Sequence, residues 1–126
     1  MSLNRKIFKA YDIRGVYPTE INELAVFQIA SNLNNYFKGK IVIGHDTRLS
    51  SPMLYKKLKE ALKVSVVDAG LITTPMMYFL VNKLKTNGGI IITASHDPKQ
   101  FNGMKIVGPQ AQMISGEEIL QLMTND

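Results

Sequence analysis

The sequence predicts one α/β domain in which a mixed, mostly parallel sheet of about four strands lies between two layers of helices. Short β-branched apolar runs alternate along the chain with segments of helical periodicity, the pattern of strand and crossover helix. The runs are apolar at consecutive positions, as expected of strands covered on both faces. A length of 126 residues with 45% hydrophobic content supports one core and not two, so residues 1–126 read as a single domain.

Taking the elements in order, Ile21, Leu24, Ala25, Ile29, Leu33 and Phe37 recur at helical spacing and predict an amphipathic helix over 21–37. "GKIVIGHDTR" follows, with Ile41, Val42 and Ile43 as a short buried strand that stops at Gly44. Ser50 or Ser51 is placed to cap a helix with Pro52 in its first turn, running through "MLYKKLKEAL". "VSVVDAG" is the second strand. A threonine ahead of Pro75 then starts an apolar helix through "LITTPMMYFLVNKL", in which Tyr78 and Phe79, like Tyr55 before them and the methionines throughout, read as core.

Gly88 and Gly89 break that helix, "GIIITAS" is the third strand, and "MKIVG" is a fourth, expected at an edge. Between these two, Asn102-Gly103 reads as the turn that reverses the chain. "SGEEILQLM" opens a last helix with a capping box, Ser115 and Glu118 three residues on.

The inventory removes whole classes of chemistry. There is no cysteine, which excludes disulfides, iron–sulfur ligation and a thiol nucleophile. No apolar stretch approaches the roughly 20 residues that cross a bilayer, and "MSLNRKIFKAYD" lacks the apolar centre of a signal peptide, so no membrane role and a cytoplasmic location are expected. The formal charge of +5 is spread along the chain, which suits phosphorylated small molecules as well as nucleic acid. The arginine clusters and aromatic platforms of a nucleic-acid binder are missing, so no nucleic-acid partner is expected.

In open α/β sheets the loops beyond the carboxyl ends of the strands converge, and ligands bind there. Three such loops are "GHDTR", "DAGLITTP" and "TASHDP", which brings Ser95 into a shared crevice. A hydrolase serine would need an elbow of the glycine-x-serine-x-glycine type, whereas the string here is Thr93-Ala94-Ser95-His96-Asp97. His45-Asp46 and His96-Asp97 are candidate metal-binding pairs, or loop residues that bond to backbone amides. A phosphate ester on Ser95 would need cations around it: Lys105 lies just beyond Asn102-Gly103, and Arg14 sits in "AYDIRG", a charged segment ahead of the first helix.

"IFKAYDIRG", "GHDTRLSSP", "GLITTPMMYF" and "GGIIITASHDPKQFNGMKI", in that order and across nearly the whole chain, resemble the signature segments of the first domain of the α-D-phosphohexomutases, in their phosphomannomutase/phosphoglucomutase branch. The resemblance implies an enzyme that interconverts hexose 1-phosphate and hexose 6-phosphate through a phosphoserine, Ser95, and a bisphosphorylated sugar. Arg14 and Lys105 would surround the transferring phosphate, Lys105 also serving in acid–base work, with Tyr11 and His96 shaping the site. Magnesium would be held by the phosphate on Ser95 and by an aspartate-rich loop of a second domain, and a hexose 1,6-bisphosphate would be the activator.

The family has four domains and this sequence matches one, which implies that the 126 residues alone are inactive and that their partners are hexose phosphates and the remaining domains of the same polypeptide. The opening "MSL" and the closing "LQLMTND" are read as the ends of a piece cut from a longer enzyme. Self-association through the exposed interdomain face is a further expectation. The competing reading is a stand-alone, non-catalytic phosphosugar-binding or interaction module. Asp97 stands where the family most often has asparagine, and it is assigned to turn formation because a carboxylate beside a phosphoserine repels it unless a cation compensates.

Overall fold

A computed structural model describes residues 4–124. Within them the chain forms strands β1 (Ile13–Val16), β2 (Ile41–His45), β3 (Val66–Leu71), β4 (Gly89–Ile92) and β5 (Phe101–Val107) and helices α1 (Glu23–Leu33), α2 (Ser51–Ala61), α3 (Thr74–Lys83) and α4 (Gly116–Thr124). The five strands make one sheet in the order β1-β5-β4-β2-β3. β2 pairs in parallel with β3 and β4, whereas β5 runs antiparallel to both β4 and β1. Four strands therefore point one way and only β5 is reversed, so the sheet is mixed and mostly parallel as the sequence predicts, with one strand more.

Consecutive residues of each apolar run serve opposite layers. Ile41, Ile43, Ile90, Ile92, Met104 and Ile106 pack with α1, α2 and α4 on one face. Val42, Ile91 and Val107 pack with Met77 and Val81 of α3 on the other. This two-sided burial is why the strands show no polar alternation. It also explains Phe79, which was expected in the core and is 61% exposed: it lies two residues, about 200°, around α3 from buried Met77. Tyr55 is buried as expected and Tyr78 is half-buried. Of the methionines read as core, Met77 and Met104 are buried but Met53, Met76 and Met113 are exposed, and Leu71 is exposed near Met76 and Phe79 in sequence. Among the described residues no helix is long and apolar enough to cross a membrane.

The helix-start signals have different outcomes. Ser115 and Glu118 form the reciprocal capping box, each backbone N–H donating to the other's side chain at 3.1 Å. The Thr73 hydroxyl accepts the Met76 N–H at 3.3 Å at the start of α3. Ser50 and Ser51 do not cap α2; their hydroxyls accept from Asn102 Nδ2 at 2.7 and 3.0 Å, and Ser51 donates to Asp46. A tertiary network has taken the groups that local chemistry would spend on the helix end. The first helix is shorter than its apolar pattern: Ile21 and Phe37 are buried just outside it and Leu24 faces solvent.

Two expectations about the far half of the sheet are corrected. "MKIVG" does not lie at an edge, because β5 is flanked by β1 and β4. Asn102-Gly103 is not the turn but the interior of β5, and the chain reverses earlier, between Thr93 and Phe101. Gly103 is needed there for a different reason. A Cβ on it would collide with the Ile13 carbonyl oxygen and approach Arg14 Cα, so only glycine lets β1 lie this close to β5. The register is Ile13↔Met104, Arg14↔Gly103, Gly15↔Asn102 and Val16↔Phe101.

That register predicts that Gly103→Ala destabilises the fold by about 2–3 kcal/mol, the upper part of the range of about 1–3 kcal/mol for an overpacked interior, because the clash is with backbone. Gly70→Ala is the comparison: its φ is +68° with open space around it, so the cost is the left-handed backbone alone, about 1–2 kcal/mol. Urea unfolding of both variants checks the order, and equal losses would contradict it.

Candidate active site

The carboxyl ends of β2 and β4 face one edge, and the sequence in each loop decides what is placed there. The β4–β5 connection is fixed at its start by Thr93, whose N–H donates to Gly103 O at 2.9 Å and whose hydroxyl accepts the Ser95 N–H at 3.1 Å. Ser95 then adopts φ +55°, a left-handed conformation uncommon for a residue with a side chain, and is exposed. The Asp97 N–H donates to Ala94 O at 3.1 Å, closing the turn.

What holds this strained turn is Arg48, from the loop after β2. Its Nη1 donates to Pro98 O at 2.7 Å and Phe101 O at 3.0 Å, and its Nη2 to Ser95 O at 2.9 Å and Asp97 O at 2.7 Å. A planar fork can satisfy four carbonyls at once, which an ammonium cannot. Arg48 is itself held by Asp46, which pairs with its Nε at 3.4 Å and accepts its backbone N–H at 3.1 Å. Asp46 in turn accepts from Ser51 at the start of α2. The Arg48 side chain is only 12% exposed, so this charge serves the loop and not the solvent.

The second arm of the site is the β1–β5 ribbon. β1 begins level with the end of β4, since Ile13 and Ile92 both pair with Met104, and the ribbon projects past that end beside the Ser95 turn. Arg14 reaches across it, with Nη1 donating to Asp97 Oδ2 and Nε to Asp12 Oδ1, both at 2.9 Å. Lys105 Nζ donates to Asp12 Oδ2 at 3.4 Å. The hydrogen bond to Asp97 raises the Arg14 pKa above its ordinary value; partial burial opposes this and the charges of Asp12 and Asp97 reinforce it. Arg14 is therefore a permanent cation.

The structure thus brings Arg14, Lys105, Tyr11 and His96 to Ser95 around one cavity of about 610 Å³, completed by Lys9, Ala10, Asp12, Ala94 and Asp97. Tyr11 is exposed at its rim. A second cavity, about 870 Å³, lies on the other side of the same turn, between it, the Asp46–Arg48 loop and the start of α3. Asp97 does form the turn, as expected, and its carboxylate is also the one paired with Arg14. The expected repulsion thus has its compensating cation.

The two His-Asp pairs do not build a metal site. Asp46 and Asp97 are engaged by Arg48 and Arg14, and His45 Nδ1 lies 2.8 Å from Asp46 O. Among the described residues no group of three or more histidines and carboxylates could hold an ion, so the residues present do not by themselves fit magnesium.

Sequence reasoning missed Asp12 and Arg48. Asp12 had a legible signal in hindsight: "DIR" and "GMK" are both two-residue steps on short strands, and pairing them puts carboxylate, guanidinium and ammonium on one face. Arg48 had none, because its four partners are backbone carbonyls some fifty positions away.

A family model described as "Phosphoglucomutase/phosphomannomutase, alpha/beta/alpha domain I" matches residues 5–125. The phosphohexose mutases protein of Xanthomonas campestris pv. campestris strain B100 is 46% identical over 114 residues, 87% of this chain and 25% of that protein. A Klebsiella pneumoniae phosphomannomutase is 44% identical over 114 residues, 87% of this chain and 73% of that protein. Among solved structures, a phosphoglucomutase/phosphomannomutase family protein from Burkholderia thailandensis superposes with a TM-score of 0.85 at 31% identity, covering 96% of this chain and 30% of that one. The chain thus spans about a quarter of the Xanthomonas relative's length.

The Arg48 clamp predicts that Arg48→Ala frees the Ser95 turn. Amide hydrogen exchange across 95–101 should quicken while β4 stays protected, and stability should fall by about 2 kcal/mol, the scale of hydrogen bonds to a charged group. Arg48→Lys should restore little of either. Unchanged exchange in the turn would contradict the clamp.

Proposed function

Since the chain belongs to the phosphoglucomutase/phosphomannomutase family, as its alpha/beta/alpha domain I, we propose that it supplies the phosphoserine of a phosphohexomutase, with Ser95 as the group that carries and transfers phosphate. The observation that carries the reading is the exposed Ser95 at φ +55°, sharing one cavity with Arg14 and Lys105. A left-handed serine on a clamped turn presents its hydroxyl outward, and nearby cations offset charge that gathers on a transferring phosphoryl group.

In the forward step the Oγ–P bond of phosphoserine breaks as a sugar hydroxyl oxygen at one end of a hexose monophosphate bonds to phosphorus. As that bond forms, the Lys105 ammonium gives a proton to the Ser95 oxygen being released and regains one from the sugar hydroxyl, so the hydroxyl proton is balanced by the one that ends on Ser95. The resulting bisphosphate returns its other phosphate to Ser95 by the same chemistry reversed, so phosphate moves between carbons 1 and 6. Loose phosphoryl transfer needs little covalent help, so positioning and charge stabilisation carry the rate. Arg14 and Lys105 hold the phosphate oxygens, Lys105 also moves the proton, and Tyr11 and His96 border the cavity where the sugar enters.

Magnesium and a hexose 1,6-bisphosphate belong to this reading as cofactor and activator. The described residues supply no carboxylate cluster for the ion, so no step here is routed through it. For the same reason turnover belongs, in this reading, to this domain together with the remaining domains of its polypeptide, and not to the 126 residues alone. The exposed Leu71, Met76 and Phe79 are the apolar side chains that such domains, or a second copy, would cover.

The test is peptide mass spectrometry on the product of the complete gene, incubated with a hexose 1,6-bisphosphate and magnesium beside a Ser95→Ala variant. The expected result is phosphate mapped to Ser95 and hexose phosphate mutase activity that the variant loses. A Ser95 that stays unmodified under these conditions would move the weight to a non-catalytic phosphosugar-binding module.

A further inference from the structure

We propose that Asp12 is a positioning residue of this site, a buried carboxylate that holds Arg14 and Lys105 as a fixed pair of cations beside Ser95. The proposal rests on the phosphoserine reading for its catalytic consequence, but the hold itself is a separate physical claim.

Strand alternation places Asp12 and Arg14 on one face of the β1 ribbon. The register Ile13↔Met104 and Arg14↔Gly103, continued by one residue, sets Asp12 opposite Lys105. Gly103 has no side chain to fill the space before Arg14, and this face of the ribbon carries three charges. Asp12 divides its two oxygens between the cations, Oδ1 to Arg14 Nε at 2.9 Å and Oδ2 to Lys105 Nζ at 3.4 Å. Its side chain is only 7% exposed, whereas those of Arg14 and Lys105 are 35% and 18% exposed. All three line the cavity, the carboxylate being the most buried and the cations the more open to solvent.

The backbone fixes the carboxylate in turn. Asp12 O accepts the Lys9 N–H at 2.9 Å, and Lys9 O accepts the Gly116 N–H at 2.8 Å. A Cβ on Gly116 would collide with Lys9, so α4 is seated against this segment.

Two like charges in one small cavity repel, and without an anion between them each long side chain would swing towards water. Asp12 removes that tendency while engaging Arg14 through Nε, which leaves the terminal nitrogens to face other oxygens. One of them, Nη1, rests on Asp97, at the turn that carries Ser95. Lys105 keeps two of its three donors. Asp12 therefore contributes orientation without touching the phosphate.

The decisive experiment compares Asp12→Asn and Asp12→Glu in the product of the complete gene. Asp12→Asn should lower kcat about 100-fold, the scale of an ångström-sized misplacement, with KM for the hexose phosphate within about threefold. Asp12→Glu, which keeps the charge and guards against a simple folding defect, should recover at least about tenfold of that loss. A variant that melts earlier but keeps kcat per folded molecule would overturn the proposal. In the same protein the Arg14 Nε–H resonance should exchange slowly with solvent and quicken on Asp12→Asn, and a rate unaffected by the substitution would also overturn it. Should the wild type show neither mutase activity nor phosphate on Ser95, the phosphoserine reading fails, and the Arg14 exchange rate alone decides whether Asp12 holds that cation.

Discussion

The guanidinium of Arg48 is the interaction on which the site depends. Between β4 and β5 the chain must reverse direction, and it does so with Ser95 in a left-handed conformation that an L-residue enters at a cost of about 1–2 kcal/mol. Four carbonyls of that reversal point at one side chain, whose charge strengthens each bond and whose planar fork dictates their arrangement. The chain of support continues through Asp46 to Ser51, and Asn102 of β5 donates to Ser50 and Ser51. The first turn of α2 thus gives up its side-chain cap to brace a loop on the neighbouring strand.

Charge is arranged by the same logic on the opposite side of the turn. Three cations around the Ser95 turn are matched by carboxylates behind or beside them: Arg48 by Asp46, Arg14 by Asp12 and Asp97, Lys105 by Asp12. Pairing lets these groups be partly desolvated and still ionised. A phosphate arriving at Ser95 would enter as a competitor for Arg14, already partnered by Asp97. The site is preset for an anion with the charges of Arg14, Arg48 and Lys105 already opposed, which ties the fold's edge geometry to the chemistry proposed for it.

Much of this was legible in the sequence where the signal is local or periodic. The apolar runs at 41–43 and 90–92 are strands, the capping box at Ser115 and Glu118 forms as written, and Ser95, Arg14 and Lys105 line one cavity. What escaped depends on partners far away in the chain. "IRGV" carries one arginine and one glycine in four residues and looks like a charged lead-in; it becomes β1 because Gly103 admits it against β5. Asn102-Gly103 has the composition of a turn, yet the Asn102 side chain is buried between Ser50, Ser51 and the Gly103 N–H, and the pair is drawn into a strand. Phe79 is apolar but on the uncovered side of α3, a distinction that helical spacing makes only once Met77 and Val81 are known to face the sheet.

The central proposal for this edge is that it holds a phosphate on Ser95 between Arg14 and Lys105. The most direct measurement is a crystal structure of the Ser95-phosphorylated protein. Phosphate oxygens should lie within hydrogen-bond distance of both Arg14 and Lys105, with the Arg14–Asp97 pair opened and Arg48 still clamping the turn. A phosphate directed into solvent, with Arg14 still resting on Asp97, would contradict it.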